Sequence, residues 1–265
     1  MSTSLQLAPA KLTWSLEVGD RRSDGYHDLV AEMVSLDLAD ELVFTEPGGG
    51  ISLVADPLAR AEGLALGASN LISRALALAG RAAHVALTKR IPLGGGLGGG
   101  SSDAAAVLRW AGIDDLSRAA SLGGDVPFCL RGGRAWVRGI GEIVEPLEHI
   151  DRAVVLLVPP FGVDTARAYG ALDALRAEGS GRHERNDLTE AAERVEPRLV
   201  RFREAFAALS GSTPVLAGSG STLFVEGSMP SLGLAGLDHL EVDGLEGRLI
   251  EARAIPTTEK GTKAL

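Results

Sequence analysis

The chain has 265 residues, enough for one large domain or two of ordinary size, and its 45% hydrophobic and 23% charged residues are those of a globular protein, not a disordered one. A net charge of −9 without any Lys/Arg-rich block excludes nucleic acid as the default partner. A single cysteine, Cys129, excludes an internal disulfide or a multi-cysteine metal site and fits a reducing compartment.

Residues 5–18 alternate, with Leu12, Trp14, Leu16 and Val18 on one side and Lys11, Thr13, Ser15 and Glu17 on the other, the pattern of a strand. Residues 21–26 read as a turn centred on Asp24-Gly25, and residues 33–44 as a second extended segment closed by Pro47 and three glycines. Residues 51–54 form a short strand candidate. Residues 70–78 have helical spacing with Asn70 near the start, and residues 84–88 a strand pattern. After the glycine-rich run 92–100, Ser101 and Ser102 are expected to cap a helix over 103–110. Residues 135–144 suggest a hairpin. Composition changes near 148, where a domain boundary is expected; beyond it come a buried-type strand at 154–158, helical patterns at 165–175 and 197–209, a second glycine/serine loop at 217–221 and a strand at 222–225. The polar tail from 257 is expected to fray. The first ten residues lack the basic-then-apolar order of a signal peptide. No apolar run reaches the roughly 18 residues a membrane helix needs. These features predict a cytoplasmic protein without a membrane partner.

The segment Pro92-Leu93-Gly94-Gly95-Gly96-Leu97-Gly98-Gly99-Gly100-Ser101-Ser102 is hard to justify as packing, because glycine contributes no side chain and costs backbone entropy on ordering. A strand, such a loop and a helix start together make an anion site from backbone N–H groups and the helix dipole. It is not a Walker A loop, since Gly100 stands where that motif requires lysine. Gly94, Gly96 and Gly99 do satisfy G-x-G-x-x-G, but any glycine-dense run does, and roughly 90 residues precede it where a Rossmann domain would place it first.

This segment resembles the second motif of the GHMP kinases. Other stretches agree with that family in order: Ala8-Pro9-Ala10-Lys11-Leu12; Arg22 to His27, with its Asp-Gly-Tyr-His core; Asn70-Leu71-Ile72; Leu122-Gly123-Gly124-Asp125-Val126-Pro127-Phe128; Asn186-Asp187-Leu188; and Gly218-Ser219-Gly220-Ser221. Thr13 stands where the family usually has asparagine. The resemblance implies an α+β, two-domain GHMP kinase fold: a ribosomal S5 domain 2-like ATP-binding domain over 1–148 and a ferredoxin-like domain over 149–265. It implies ATP and Mg²⁺ as cofactors, and a cytidine diphosphate-linked methylerythritol as the small-molecule acceptor, in a monomer or weak homodimer.

The resemblance also assigns roles. Asp125 would accept or orient the proton of the attacking hydroxyl, and Lys11 beside it would stabilise charge on the transferred phosphoryl. Tyr26 would stack on cytosine and His27 bond its edge, with Tyr169 as a second stacking face and Gly218 and Ser219 on the substrate diphosphate. Residues 92–102 would hold the ATP phosphates, and Asn70 and Lys89 would lie near its nucleoside; Ser101 or Ser102 would touch Mg²⁺ or phosphate. On residue type alone, Asn70 serves equally as a helix cap and Lys89 as an ordinary strand-end lysine. The same fold with another alcohol acceptor, a catalytically weak ligand-binding relative and a nicotinamide-dependent oxidoreductase remain the alternative readings.

Overall fold

The computed structural model describes residues 2–55, 63–181, 185–257 and 263–264. Two long strands, β1 (Ser2–Arg21) and β2 (His27–Glu46), run antiparallel and form its spine. Bulges between Pro9 and Lys11, Thr13 and Ser15, and Val18 and Arg21 bend the pair, which is how strands of this length keep both ends on one core. There follow β3 (Ile51–Ala55), α1 (Leu71–Ala79), β4 (His84–Lys89), α2 (Gly99–Trp110), α3 (Leu116–Ala120), α4 (Val126–Arg131) and the hairpin β5 (Arg134–Gly139) and β6 (Ile143–Leu147). The second half comprises β7 (Ala153–Val158), α5 (Thr165–Ala177), α6 (Thr189–Val195), α7 (Arg198–Ser210), β8 (Val215–Leu216), β9 (Leu223–Glu226), β10 (His239–Val242), β11 (Leu245–Ile255) and β12 (Lys263–Ala264). The expected frayed tail falls largely on 258–262 and 265, outside the described residues; 263–264 pair with β1 at Ser4 and Leu5.

The far edge of β2 changes partner along its length: β5 at residues 29–34, β11 at 35–36, and β4 at 41–45. β11 also pairs with β7, so the sheet runs through both halves of the chain. Three apolar clusters result. One lies beneath α1, α2 and α4 and includes Phe44, Ile72, Leu108 and Phe128. One belongs to the second half, around Phe202, Phe206 and Leu249. The third joins them, with Leu12 and Trp14 from β1 against Leu156, Phe224 and Ala252. Each fully buried large side chain contributes about 1.5–3 kcal/mol relative to exposure, so the shared cluster is a substantial tie between the halves. It also puts Lys11 and Thr13, which alternate with Leu12 and Trp14, on the opposite face of β1, under the glycine loops.

The serines at 101 and 102 do not cap α2. Gly98, with φ of 67°, takes the cap position three residues before Ser101, and the helix starts at Gly99. Ser102 instead donates to Pro9 O at 2.6 Å, fastening the first turn of α2 to β1.

Candidate active site

Lys11 is buried in β1, with Nζ 3.3 Å from Asp125 Oδ2 and donating to Thr13 Oγ1 at 3.1 Å. Asp125 stands at the N-cap position of α4 yet accepts no capping bond from that helix. Its carboxylate is turned to Lys11 and remains about one-third exposed, so the capping role that its position suggests is not the one it fills. Thr13 supplies the oxygen acceptor that an asparagine amide would offer at this point.

Both glycine loops close over this pair. A Cβ at Gly98 would lie 2.6 Å from Lys11 Cγ, and one at Gly218 would lie 3.3 Å from Lys11 Nζ. A Cβ at Gly96 would collide with Ala217 O, and Thr222 N donates to Gly95 O, so the loops pack backbone against backbone. Lys11 N donates to Leu97 O, while Pro92 and Leu97 are buried and anchor the first loop. Asn186 fixes the second: its Nδ2 donates to Leu216 O and Gly218 O, and its Oδ1 accepts from Leu188 N.

Gly100 is different in kind. It lies in the first turn of α2, exposed, with ordinary helical φ, and a Cβ there would meet only Leu71 Cδ1 at 3.5 Å. The protein has room for a side chain, and alanine would favour the helix. Glycine at this point leaves the helix N-terminus open to close approach by an anion.

A cavity of about 590 Å³ is lined among others by Arg21, Tyr26, His27, Ile140, Tyr169 and Asp173, and its Ile140 packs on Gly124, the neighbour of Asp125. It brings together the three residues expected to hold a base. Tyr26 is exposed on its rim. His27 is buried, its Nε2 bonded to Asp173 Oδ1 at 2.8 Å, and its ring stacks on Tyr169 with centroids 5.2 Å apart. In this structure, then, the stacking partner of Tyr169 is His27. Burial pushes the Tyr169 hydroxyl up to about 12, and the Asp125 carboxylate adds to the shift, which reflects how near the cavity lies to the Lys11–Asp125 pair. Ser219 Oγ and Thr165 Oγ1, 2.8 Å apart, join the second glycine loop to the start of α5 beside the cavity.

The expected ATP contact of Lys89 needs correction. Lys89 touches no open surface: it is fully buried and paired with Asp40 and, at 2.9 Å, with Asp103. Burial works against its charge, but the two carboxylates outweigh that and raise its pKa. Asn70 is occupied as the cap of α1, accepting from Ile72 N at 2.9 Å and donating to Ala65 O at 2.7 Å. Lys89 lies beneath the glycine loop, where a Cβ on Gly99 would fall 2.8 Å from its Nζ. Ser102 is likewise buried, whereas Ser101 is partly exposed at the start of α2. Sequence reading missed Asp173, four residues after Tyr169 and so on the same helical face. It also missed the roles of Thr13, Asp40 and Asp103, which depend on contacts between distant segments.

Residues 63–133, which contain the glycine loop and Asp125, match the family model described as GHMP kinases N terminal domain. The 4-diphosphocytidyl-2-C-methyl-D-erythritol kinase of Paracoccus denitrificans is 39% identical over 237 residues, covering 83% of this chain and 85% of that protein. The kinase of the same name from Thermus thermophilus is 38% identical over 240 residues, covering 83% and 86%. A solved structure described as 4-(cytidine 5'-diphospho)-2C-methyl-D-erythritol kinase, 32% identical, superposes with a TM-score of 0.68 over 94% of this chain and 98% of that one. A mevalonate kinase structure, 12% identical with a TM-score of 0.57, shares the fold. With identities of this size over most of both chains, and the ordered motifs folded around one cleft, the chain belongs to the 4-diphosphocytidyl-2-C-methyl-D-erythritol kinases of the GHMP kinase family.

Proposed function

We propose that this chain transfers the γ-phosphoryl group of ATP to the 2-hydroxyl of 4-diphosphocytidyl-2-C-methyl-D-erythritol, a step of non-mevalonate isoprenoid biosynthesis. The observation that carries the reading is the Lys11–Asp125 pair, held at 3.3 Å with both glycine loops packed on Lys11.

The ATP phosphates lie on the backbone of residues 94–102, where the exposed Gly100 and the first turn of α2 present N–H groups. The cytidine diphosphate end of the acceptor enters the cavity, its base against Tyr26, His27 and Tyr169 and its diphosphate toward Gly218 and Ser219. The acceptor hydroxyl then reaches Asp125. As its oxygen bonds to the γ-phosphorus and the bond to the ADP oxygen breaks, its proton passes to the Asp125 carboxylate. Lys11, fixed by Thr13, offsets charge on the phosphoryl oxygens as it moves. Bound Mg²⁺ supplies further neutralisation of the phosphates. Among the described residues no group of three or more His, Cys, Asp or Glu side chains is placed to hold a metal; Ser101, partly exposed in the first turn of α2, would be a protein oxygen for an ion bound with the phosphates. Cys129 takes no part: burial pushes its thiol up to about 12. Among the described residues no helix is long and apolar enough to cross a membrane, and a cytoplasmic location fits the lone, reduced cysteine.

Replacing His27 by Ala tests the division of the two pockets. It is expected to raise KM for the cytidylyl acceptor by about tenfold, the cost of one good hydrogen bond, and to leave KM for ATP nearly unchanged. A loss confined to ATP would show the pockets assigned the wrong way round.

A further inference from the structure

Beneath the first glycine loop lies a charge cluster that the transfer step does not use. Lys89, at the end of β4, bonds Asp40 of β2 and Asp103 of α2, and none of the three is more than 4% exposed. Asp40 does more than pair. Its Oδ1 also accepts from Arg90 N at 2.6 Å and Ile91 N at 2.8 Å, the two residues that lead into the loop. Asp103 sits one turn into α2, just past the loop's other end. The ammonium also packs against the loop itself, since a Cβ on Gly99 would lie 2.8 Å from Lys89 Nζ. One lysine thus ties the loop's entry, its exit helix and the central strand to a single point.

Such a cluster is an expensive way to gain stability. Desolvating three charges costs several kcal/mol per ion, and apolar residues of similar volume often serve better. The charges are also unbalanced, two carboxylates to one ammonium, and Asp103 Oδ1 is buried without a hydrogen-bond partner. The benefit that fits this placement is geometric: groups that must present backbone N–H donors to a phosphate chain have to be held to within a fraction of an ångström.

We propose that Lys89, Asp40 and Asp103 are positioning residues that set the geometry of the ATP-phosphate loop from beneath. This rests on the reading that residues 94–102 hold those phosphates. The obvious variant, Lys89→Met, strands two buried carboxylates and risks unfolding. Asp103→Ala avoids that problem, because the remaining Lys89–Asp40 pair is neutral, while Asp103→Asn keeps an oxygen for Lys89 to bond. The experiment measures KM for ATP and for the cytidylyl acceptor, with kcat, in both variants and in Gly100→Leu. Asp103→Ala is expected to raise KM for ATP on the order of tenfold with little change for the acceptor, and Asp103→Asn to recover most of that loss. A folded Asp103→Ala protein whose KM for ATP stays within about twofold of the parent, or whose two KM values rise together, overturns the proposal while Gly100→Leu still weakens ATP. If Gly100→Leu leaves ATP unaffected, the phosphate-loop reading itself is wrong, and the positioning role falls with it.

Discussion

Asp125 and Asp103 are both acids near the cleft, and their surroundings suit them to opposite tasks. Asp125 is partly open to solvent and faced by Lys11, so it is available as a proton acceptor. Asp125→Asn keeps the shape and removes the base. If general-base help has its usual size, kcat should fall by roughly 10² to 10⁴ with ATP binding preserved, and steady-state kinetics would show it; near-normal kcat in the folded variant would make this aspartate structural. Asp103 is sealed in, and burial pushes its carboxyl up to about 7, with Lys89 pulling the other way and Asp40 reinforcing the rise. Its folded pKa therefore lies above its unfolded one near 3.9. Its favourable contribution is fully present below the unfolded value and is lost as pH rises through 7. Asp103→Asn does not ionise, so its melting temperature relative to the parent should climb between pH 5 and pH 8. A difference independent of pH over that range would contradict the assignment. None of this was legible in the sequence, where Asp103 reads only as an acidic residue near a helix start; its partners lie 14 and 63 positions away.

At the scale of elements, the motif-bearing segments were the readable ones. The strand around Lys11, the helix after the glycine loop and the hairpin expected over 135–144 all form, but the bulge between Thr13 and Ser15 turns Leu16 and Val18 to the opposite face from Leu12 and Trp14, although simple alternation puts all four on one side. The start of α2 was misplaced because Ser101 and Ser102 look like caps, while a left-handed glycine at 98 does that work. Sequence also cannot tell a glycine required by packing from one required by a ligand, and the structure separates them. Gly96 and Gly98 are pressed on Ala217 and Lys11, so substitution there disturbs the fold as well as the site. Gly100 has free space above it. Gly100→Leu should leave the melting temperature unchanged or raise it, since glycine inside a helix costs about 0.5–1 kcal/mol relative to alanine, and yet weaken ATP binding. Parallel calorimetric melting and ATP titration would reveal that opposition; a drop in both would mean the glycine is structural.

For the whole molecule, we propose that residues 1–148 form the nucleotide-binding unit and 149–265 the unit that completes the acceptor side. The composition break near 148 hinted at such a division but not at how strongly the parts are joined. β11 pairs with both β7 and β2, and the cluster around Leu12, Trp14, Leu156 and Phe224 draws on both halves. The contacts that cross between the halves, such as Leu36 with Ala254 in the β2–β11 ladder, join residues too far apart in sequence to leave a local pattern to read. The units should therefore unfold together: far-ultraviolet dichroism and tryptophan fluorescence from Trp14, Trp110 and Trp136 should give one coincident transition, and separated midpoints would show the halves to be independent. That shared core is what holds the second glycine loop and the cavity against Lys11 and Asp125, and hence what makes one cleft of two sets of motifs. The central claim about that cleft is tested most directly by incubating the purified chain with ATP, Mg²⁺ and 4-diphosphocytidyl-2-C-methyl-D-erythritol, with mevalonate and homoserine as parallel acceptors, and following phosphate by ³¹P NMR. The account predicts a new phosphomonoester on the 2-hydroxyl of the cytidylyl acceptor, with ADP formed in equal amount and neither other alcohol phosphorylated at a comparable rate. Equal or faster phosphorylation of mevalonate or homoserine, or no transfer to the cytidylyl acceptor, would contradict it.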